Sequence, residues 1–295
     1  MKKNDLNTTV YVLPTDNALL KTSNILEHVN EVITDYLNLL KKDLHRGVIN
    51  HLFGLNEHQL FSREDLANYY SLTTERIRQL RRDILNDLEK LLEGENNEKY
   101  GCKCDPVVST IFNEIKSKLT SKKIFSKTEL YIFFREEYDC DSISHFYPTI
   151  DILIELFRFV QCGKVESSFT KANLIITSPS EKAIYIKAAE RAIRLLKKNI
   201  TPMNEMQIII EIKKTNKKVS NNHISDVINT LPEIEVLEVA DQTLYQIKFE
   251  FLSRASDRAY RVLLEKGNPM YIDEIVSEIN SQLVLTGTPK IYIKP

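Results

Sequence analysis

The chain has no tryptophan, and its 295 residues include only 7 glycines, 9 prolines and 4 cysteines. With so few turn-makers and so much Leu, Ile, Lys, Glu and Asn, short helical modules are favoured over a large sheet. No apolar run approaches the roughly 20 residues that cross a bilayer, so no membrane helix is expected. The opening MKKNDLNTTVYVLPTDN has two lysines but neither an apolar core nor a small-residue cleavage site. That points to a cytoplasmic protein rather than a secreted one. A net charge of −1 excludes wholesale coating of nucleic acid and leaves DNA binding to local patches. There is no glycine-rich phosphate loop and no paired-carboxylate motif. The six histidines (His28, His45, His51, His58, His145, His223) lack a Ser, Cys or acidic companion at a catalytic spacing. The chain is therefore read as no enzyme, with no cofactor. Cys102 and Cys104 form a C-x-C pair inside a linker-like stretch, GENNEKYGCKCDP, while Cys140 and Cys162 stand apart. Structural zinc needs a second close pair, so no metal site is expected.

What is present is ordinary soluble-protein composition, 42% hydrophobic and 27% charged, enough for roughly two to four domains. The most informative stretch is SREDLANYYSLTTERIRQLRRDILNDLEKLL, Ser62 to Leu92. Ser62 can cap a short helix, with Asp65 completing an acidic capping box. Leu66, Ala67 and Tyr70 then share one apolar face. Ser71-Leu72-Thr73 breaks the pattern, and Thr73 can cap a second helix. In that helix Ile77, Leu80, Ile84, Leu88 and Leu91 recur at helical spacing and face inward, which leaves Thr74, Glu75, Arg78, Gln79 and Arg82 outward. This is the layout of a helix-turn-helix, whose second helix lies in the major groove.

Residues 46 to 92 resemble region 4 of the sigma-70 family of bacterial RNA polymerase sigma factors. Carrying the likeness are Phe53-Gly54-Leu55, Glu64-Asp65-Leu66-Ala67 and Glu75-Arg76-Ile77-Arg78-Gln79-Leu80. The resemblance implies that Glu75 and Gln79 face bases while Arg76, Arg78 and Arg82 hold phosphates. At Thr74 the family often places an arginine that forks onto guanine; Thr74 cannot, so the usual promoter sequence is not implied. Only 45 residues precede Arg46 in this sequence, without a basic-aromatic helix, so the promoter-melting machinery of such factors is not expected in it. The chain is not expected to initiate transcription alone. Against this stands a plain helical hairpin: residues 62 to 92 hold six basic and six acidic groups. Arg78 and Arg82 could then pair with Asp83 or Asp87.

Beyond the linker the text repeats. ITPMNEMQIIIEI (from Ile200) and NPMYIDEIVSEI (from Asn268) align at an offset of 67, matching Pro202 to Pro269, Ile208 to Ile275 and Ile212 to Ile279. A looser copy, IFSKTELYIFF from Ile124, puts Leu130 and Phe134 in the same places. Each copy follows an amphipathic helix (Val107–Leu119, Glu181–Lys198, Ser253–Glu265). The first two precede another helix (Ser144–Leu156, Ser220–Leu231) and then strand-like text, with Ala240-Asp241-Gln242 as a hairpin turn. That order suggests winged helices. The predicted fold is mainly α with small β-hairpins: an N-terminal helix plus a sigma region 4-like helix-turn-helix domain over 1–96, then tandem winged-helix-like domains over 105–178 and 179–252 and part of a third over 253–295. The last stops at TGTPKIYIKP, as if the chain were the front of a longer protein.

Residues 181 to 226 hold ten Lys or Arg against five Asp or Glu. Lys213, Lys214, Lys217 and Lys218 precede Ser220, which can cap a helix opening on Asn221, Asn222, His223 and Ser225. A winged helix meets the groove there, although a solvated lysine-rich approach with no ligand fits equally. The matching helix of the first copy, Ser144 to Thr149, is aromatic and uncharged, suited to a protein contact. The N-terminal stripe Ile25, Leu26, Val29, Val32, Ile33, Tyr36, Leu37 and Leu40, within Ser23–Lys42, is expected to pack on the helix-turn-helix. Two functions stay open. One is a sequence-specific binder of double-stranded DNA acting in transcription regulation, with RNA polymerase as a second partner. The other is a scaffold that binds polymerase or another regulator without touching DNA. The target site, the sign of regulation and the oligomeric state are not legible here.

Overall fold

The computed structural model describes residues 10–13, 25–138, 143–163, 173–252 and 254–285. Ser23, Cys140, residues 164–172 of the first copy's strand-like text and the tail TGTPKIYIKP lie outside them. Among the described residues the fold is mainly helical, with one two-stranded and two three-stranded sheets. No helix among the described residues is long and apolar enough to cross a membrane. The chain divides into two compact units, residues 1–122 with 128–160 and residues 123–127 with 161–295, so the expected span 105–178 contributes to both.

In the first unit, β1 (Tyr11–Leu13) pairs in parallel with β2 (Cys102–Cys104). The expected linker is therefore not loose chain. Cys102 and Cys104 are buried and Lys103 between them is exposed, the period-two alternation of a half-buried strand. Both thiols are free, and burial raises their pKa, that of Cys104 to about 11. They act as small hydrophobic side chains.

Helix α1 (Ile25–Leu39) buries Leu26, Val29, Val32, Ile33, Tyr36 and Leu37, and Leu40 is buried just past its end. Its main neighbours are β1, α5 (Pro106–Ser121) and α7 (Tyr147–Leu156), not the helix-turn-helix it was expected to cover. The stripe is too broad for one partner, and several elements divide it. On α7, Thr149 is fully buried and its hydroxyl donates to the Asn30 side chain at 2.7 Å. Of the aromatic, uncharged turn expected to meet another protein, Phe146 and Thr149 are buried, while His145 and Tyr147 are exposed. Tyr147 stacks on Tyr131 of α6 (Lys127–Glu137), with ring centroids 4.1 Å apart.

The remaining helices of this unit are α2 (Asp43–Phe53), α3 (Arg63–Tyr69) and α4 (Thr74–Leu92). Their shared core is Val48, Leu66, Ala67, Ile77 and Leu80, with Phe61, Tyr70 and Leu72 packed around it. Gly54 ends α2 in the left-handed region at φ 71°, the usual residue there because it has no Cβ to clash.

The second unit contains two sheets of like order. β3 (Ile124–Ser126), β5 (Asn173–Ile176) and β4 (Val160–Gly163) form one, and the central strand β5 runs antiparallel to β3. The other joins β6 (Met203–Asn204), β8 (Gln242–Ile247) and β7 (Ile234–Val239). Ala240 and Asp241 both take positive φ in a two-residue turn, and Gln242 already pairs with Val239. This is the primed turn that matches strand twist. Between the sheets' strands in chain order run α8 (Lys182–Lys198), α9 (Glu205–Thr215) and α10 (Asn221–Thr230). The repeated positions are core: Leu130, Phe134, Ile208 and Ile212 are buried. The chain ends its described part in α11 (Ala255–Lys266) and α12 (Ile272–Leu285), which bury Val262, Ile279 and Leu283 together. Arg261 is buried and donates to the carbonyls of Ile247 at 3.0 Å and Ile200 at 3.4 Å, tying α11 to the preceding module.

Candidate nucleic-acid interface

The corner between α3 and α4 is built from local chemistry. Ser62 accepts from the Asp65 amide at 3.1 Å, and the Asp65 carboxylate accepts from the Ser62 amide at 3.2 Å, a complete capping box. Helix α3 ends with the amide of Leu72 on the Ala67 carbonyl at 2.8 Å and that of Ser71 on Asn68 at 3.2 Å. Ser71 takes φ 54°. These are the paired bonds of a Schellman end. Thr73 then accepts from the Arg76 amide at 3.1 Å and opens α4.

Capping fixes which way the first turns point. Ile77, Leu80, Ile84, Leu85, Leu88, Leu91 and Leu92 are buried. Thr74, Glu75, Arg76, Arg78 and Arg82 are exposed, and Gln79 is half-buried. The expected reading face is thus brought together on one exposed strip of a 19-residue helix, about 28 Å long.

The side chains on that strip hold one another. Arg78 forks onto Glu75 with two bonds of 2.7 Å, Gln79 donates to Glu75 at 3.2 Å, and Arg76 donates to Gln79 at 3.3 Å. The fork holds the Glu75 carboxyl down at about 2 and raises the Arg78 guanidinium. Glu75 is therefore ionised at every pH near neutrality. Arg82 lies 3.6 Å from Asp83, while Asp87 pairs with Lys99 at 3.4 Å. Such exposed pairs are weak and exchange readily with other anions.

Three further arginines border the strip without having been singled out in the sequence. Arg63 opens α3. Arg81 pairs with Glu155 and lies 5.7 Å from the Phe53 ring centroid. Arg158 follows α7 and reaches Glu89 at 3.0 Å. With Arg78 and Arg82 they line a cleft of about 330 Å³ in which five arginines face only two acids, Glu89 and Glu155. Arg63 had a sequence signal, the position after a capping serine. Arg158 had none.

The second cluster is arranged differently. Lys217, Lys218, Asn221 and Asn222 are exposed. His223 turns inward: Nδ1 sits 2.6 Å from the Ser220 hydroxyl in a capping box, Nε2 lies 3.3 Å from Glu181, and Tyr185 packs edge-on at 4.8 Å. Both ring nitrogens are engaged inside the fold. Ser225 donates to Glu205 at 2.5 Å, and Tyr185 donates to Asp226 at 2.7 Å. Three carboxylates thus stand at the first turns of α10, offsetting the lysines before it. Among the described residues no group of three or more His, Cys, Asp or Glu gathers as metal ligands would. No family model, curated protein or solved structure matches the chain.

Proposed function

We propose that this is a sequence-reading DNA-binding protein of sigma-like descent that acts in transcription control, with α4 entering the major groove. The observation that carries the reading is the capped, outward N-terminal half of α4. It holds Thr74, Glu75, Arg76, Arg78 and Arg82 clear of a core made by Ile77 and Leu80. A helix placed so can set its first turns against base edges and its arginines against phosphates. We read the two runs of helix, strand, helix, helix and hairpin as winged helices, and α11 with α12 as the start of a third. The strand orders β3-β5-β4 and β6-β8-β7 support this. The first would not read DNA, because the first turn of α7 carries no charged side chain and buries Thr149 and Ile150. The second adds Lys217, Lys218, Asn221 and Asn222 as accessory contacts, which gain by tethering. No reaction, cofactor or metal is ascribed to the protein. It works in the cytoplasm, and RNA polymerase is its second partner.

A scaffold that binds polymerase alone has one observation in its favour, the mutual fork of Arg78, Glu75 and Gln79. Duplex binding measured against salt separates the two. Arg76, Arg78 and Arg82 together contribute about −2.7 to the log–log slope, at about −0.9 per phosphate contact. The double variant Arg76→Ala, Arg78→Ala should make the slope shallower by about 1.8 without loss of fold. If the wild-type chain binds no duplex, the DNA reading is wrong and the scaffold stands.

A further inference from the structure

We propose that Arg158 is a DNA phosphate contact, supplied from outside the helix-turn-helix and completing the cation-lined cleft beside α4. The proposal rests on the reading of α4 as a groove helix, and it adds a residue that neither the sequence pattern nor the resemblance singles out.

Three observations meet at this residue. The first is charge: Arg63, Arg78, Arg81, Arg82 and Arg158 line one open cleft against Glu89 and Glu155. Arg81 is committed to Glu155 and Phe53. Arg78 is forked onto Glu75 outside the cleft lining, Arg63 forms no ion pair among the described residues, and Arg82 has only a loose one at 3.6 Å. An excess of positive charge therefore remains for an anion. The second is exposure. The Arg158 side chain is 74% exposed although it touches Glu89, which is only 12% exposed. A guanidinium carries five donors in a planar fork, so one carboxylate contact leaves edges for a phosphate.

The third is backbone. The Phe159 amide bonds Ile154 at 3.0 Å and the Arg158 amide bonds Glu155 at 2.9 Å. This is a Schellman end that places Arg158 at the left-handed position, φ 57°. Where α4 ends in the same way, with Gly94 bonding Leu91 and Glu95 bonding Lys90, the residue is Gly94 at φ 95°. Glycine would close α7 without the Cβ clash that an arginine meets there. Strain kept at an exposed residue beside a cation-lined cleft points to use of the side chain. An open cleft along an exposed helix suits one phosphate of a rigid polyanion rather than an enclosed small ligand.

The plain alternative is that Arg158 only ties α7 to α4 through Glu89, and three proteins separate the two. With random-sequence duplex as probe, Arg158→Gly should unfold cooperatively as the wild type does. Its salt slope should be shallower by about 0.9, so that a roughly fourfold rise in salt weakens its binding about threefold less than that of the wild type. Glu89→Gln frees the guanidinium and should bind at least as tightly as wild type; under the tie it would weaken binding as Arg158→Gly does. Inorganic phosphate alone should show no saturable binding. If the wild type binds duplex and Arg158→Gly keeps the same slope, this proposal fails and the reading of α4 survives. It fails too if phosphate alone binds and duplex does not need Arg158. If the wild type binds no duplex, both fall together.

Discussion

Gly47 lies on α2, and a Cβ built there would sit 2.0 Å from the hydroxyl of Tyr70 and 3.2 Å from its ring carbon Cζ. Tyr70 caps α3 at the corner and packs on the core beneath α4. Two opposing effects therefore act on Gly47→Ala. Alanine gains about 1 kcal/mol of helix propensity. Forcing a methyl group into this contact costs about 1–3 kcal/mol, because the ring must shift. The single substitution should be neutral to destabilising by about 2 kcal/mol, a fall of up to about 8 °C in midpoint for a domain of this size. In a Tyr70→Phe background the 2.0 Å contact is gone. The same alanine should then cost little or stabilise by up to about 1 kcal/mol. Thermal or urea unfolding of the four proteins in a double-mutant cycle measures the coupling, expected at about 1–3 kcal/mol. An equal cost of Gly47→Ala in both backgrounds would refute the argument, and so would a gain in the wild-type background. Either result would mean that the Tyr70 hydroxyl is not held against α2.

Other expectations follow from single contacts. Thr73→Ala removes the acceptor for the Arg76 amide and should cost about 1 kcal/mol by chemical unfolding, with weaker DNA binding because the first turn frays. His223→Ala should lower the thermal midpoint yet leave the salt slope of duplex binding unchanged, since both ring nitrogens are engaged within the fold. Glu233 is 1% exposed, its Oε2 has no hydrogen-bond partner among the described residues, and burial raises its pKa against the pull of Lys197 and Lys248. A raised carboxyl contributes its stability below the ordinary value near about 4 and loses it as pH rises through the raised one. The midpoint of Glu233→Gln should therefore pull ahead of the wild type as pH climbs above that value; parallel curves would contradict this.

Local chemistry was legible in the sequence wherever it is self-contained. The Ser62–Asp65 box, the Thr73 cap and the buried row from Ile77 to Leu91 each depend on residues a few positions apart. The hairpin turn needed only Ala240 and Asp241, and the repeat revealed its own core at Leu130, Phe134, Ile208 and Ile212. What escaped is set by distant partners. Cys102–Cys104 looked like linker because its mate, Tyr11–Leu13, lies about ninety residues away in sequence. An apolar stripe says that a helix is buried but not against what, so α1 meets α5 and α7 instead of the corner. Arg158 is invisible for the same reason: only the fold brings the end of α7 to the cleft beside α4.

The central claim is that the first turns of α4 lie in a duplex groove. A photo-cross-linking side chain at Thr74, compared with one at Lys90 about 24 Å along the same helix, tests it most directly. Both positions are exposed. Covalent adducts to bases of double-stranded DNA from position 74, and few or none from position 90, are the predicted result. Equal labelling from both positions, or none from Thr74 under conditions where the protein retains DNA, would contradict the account.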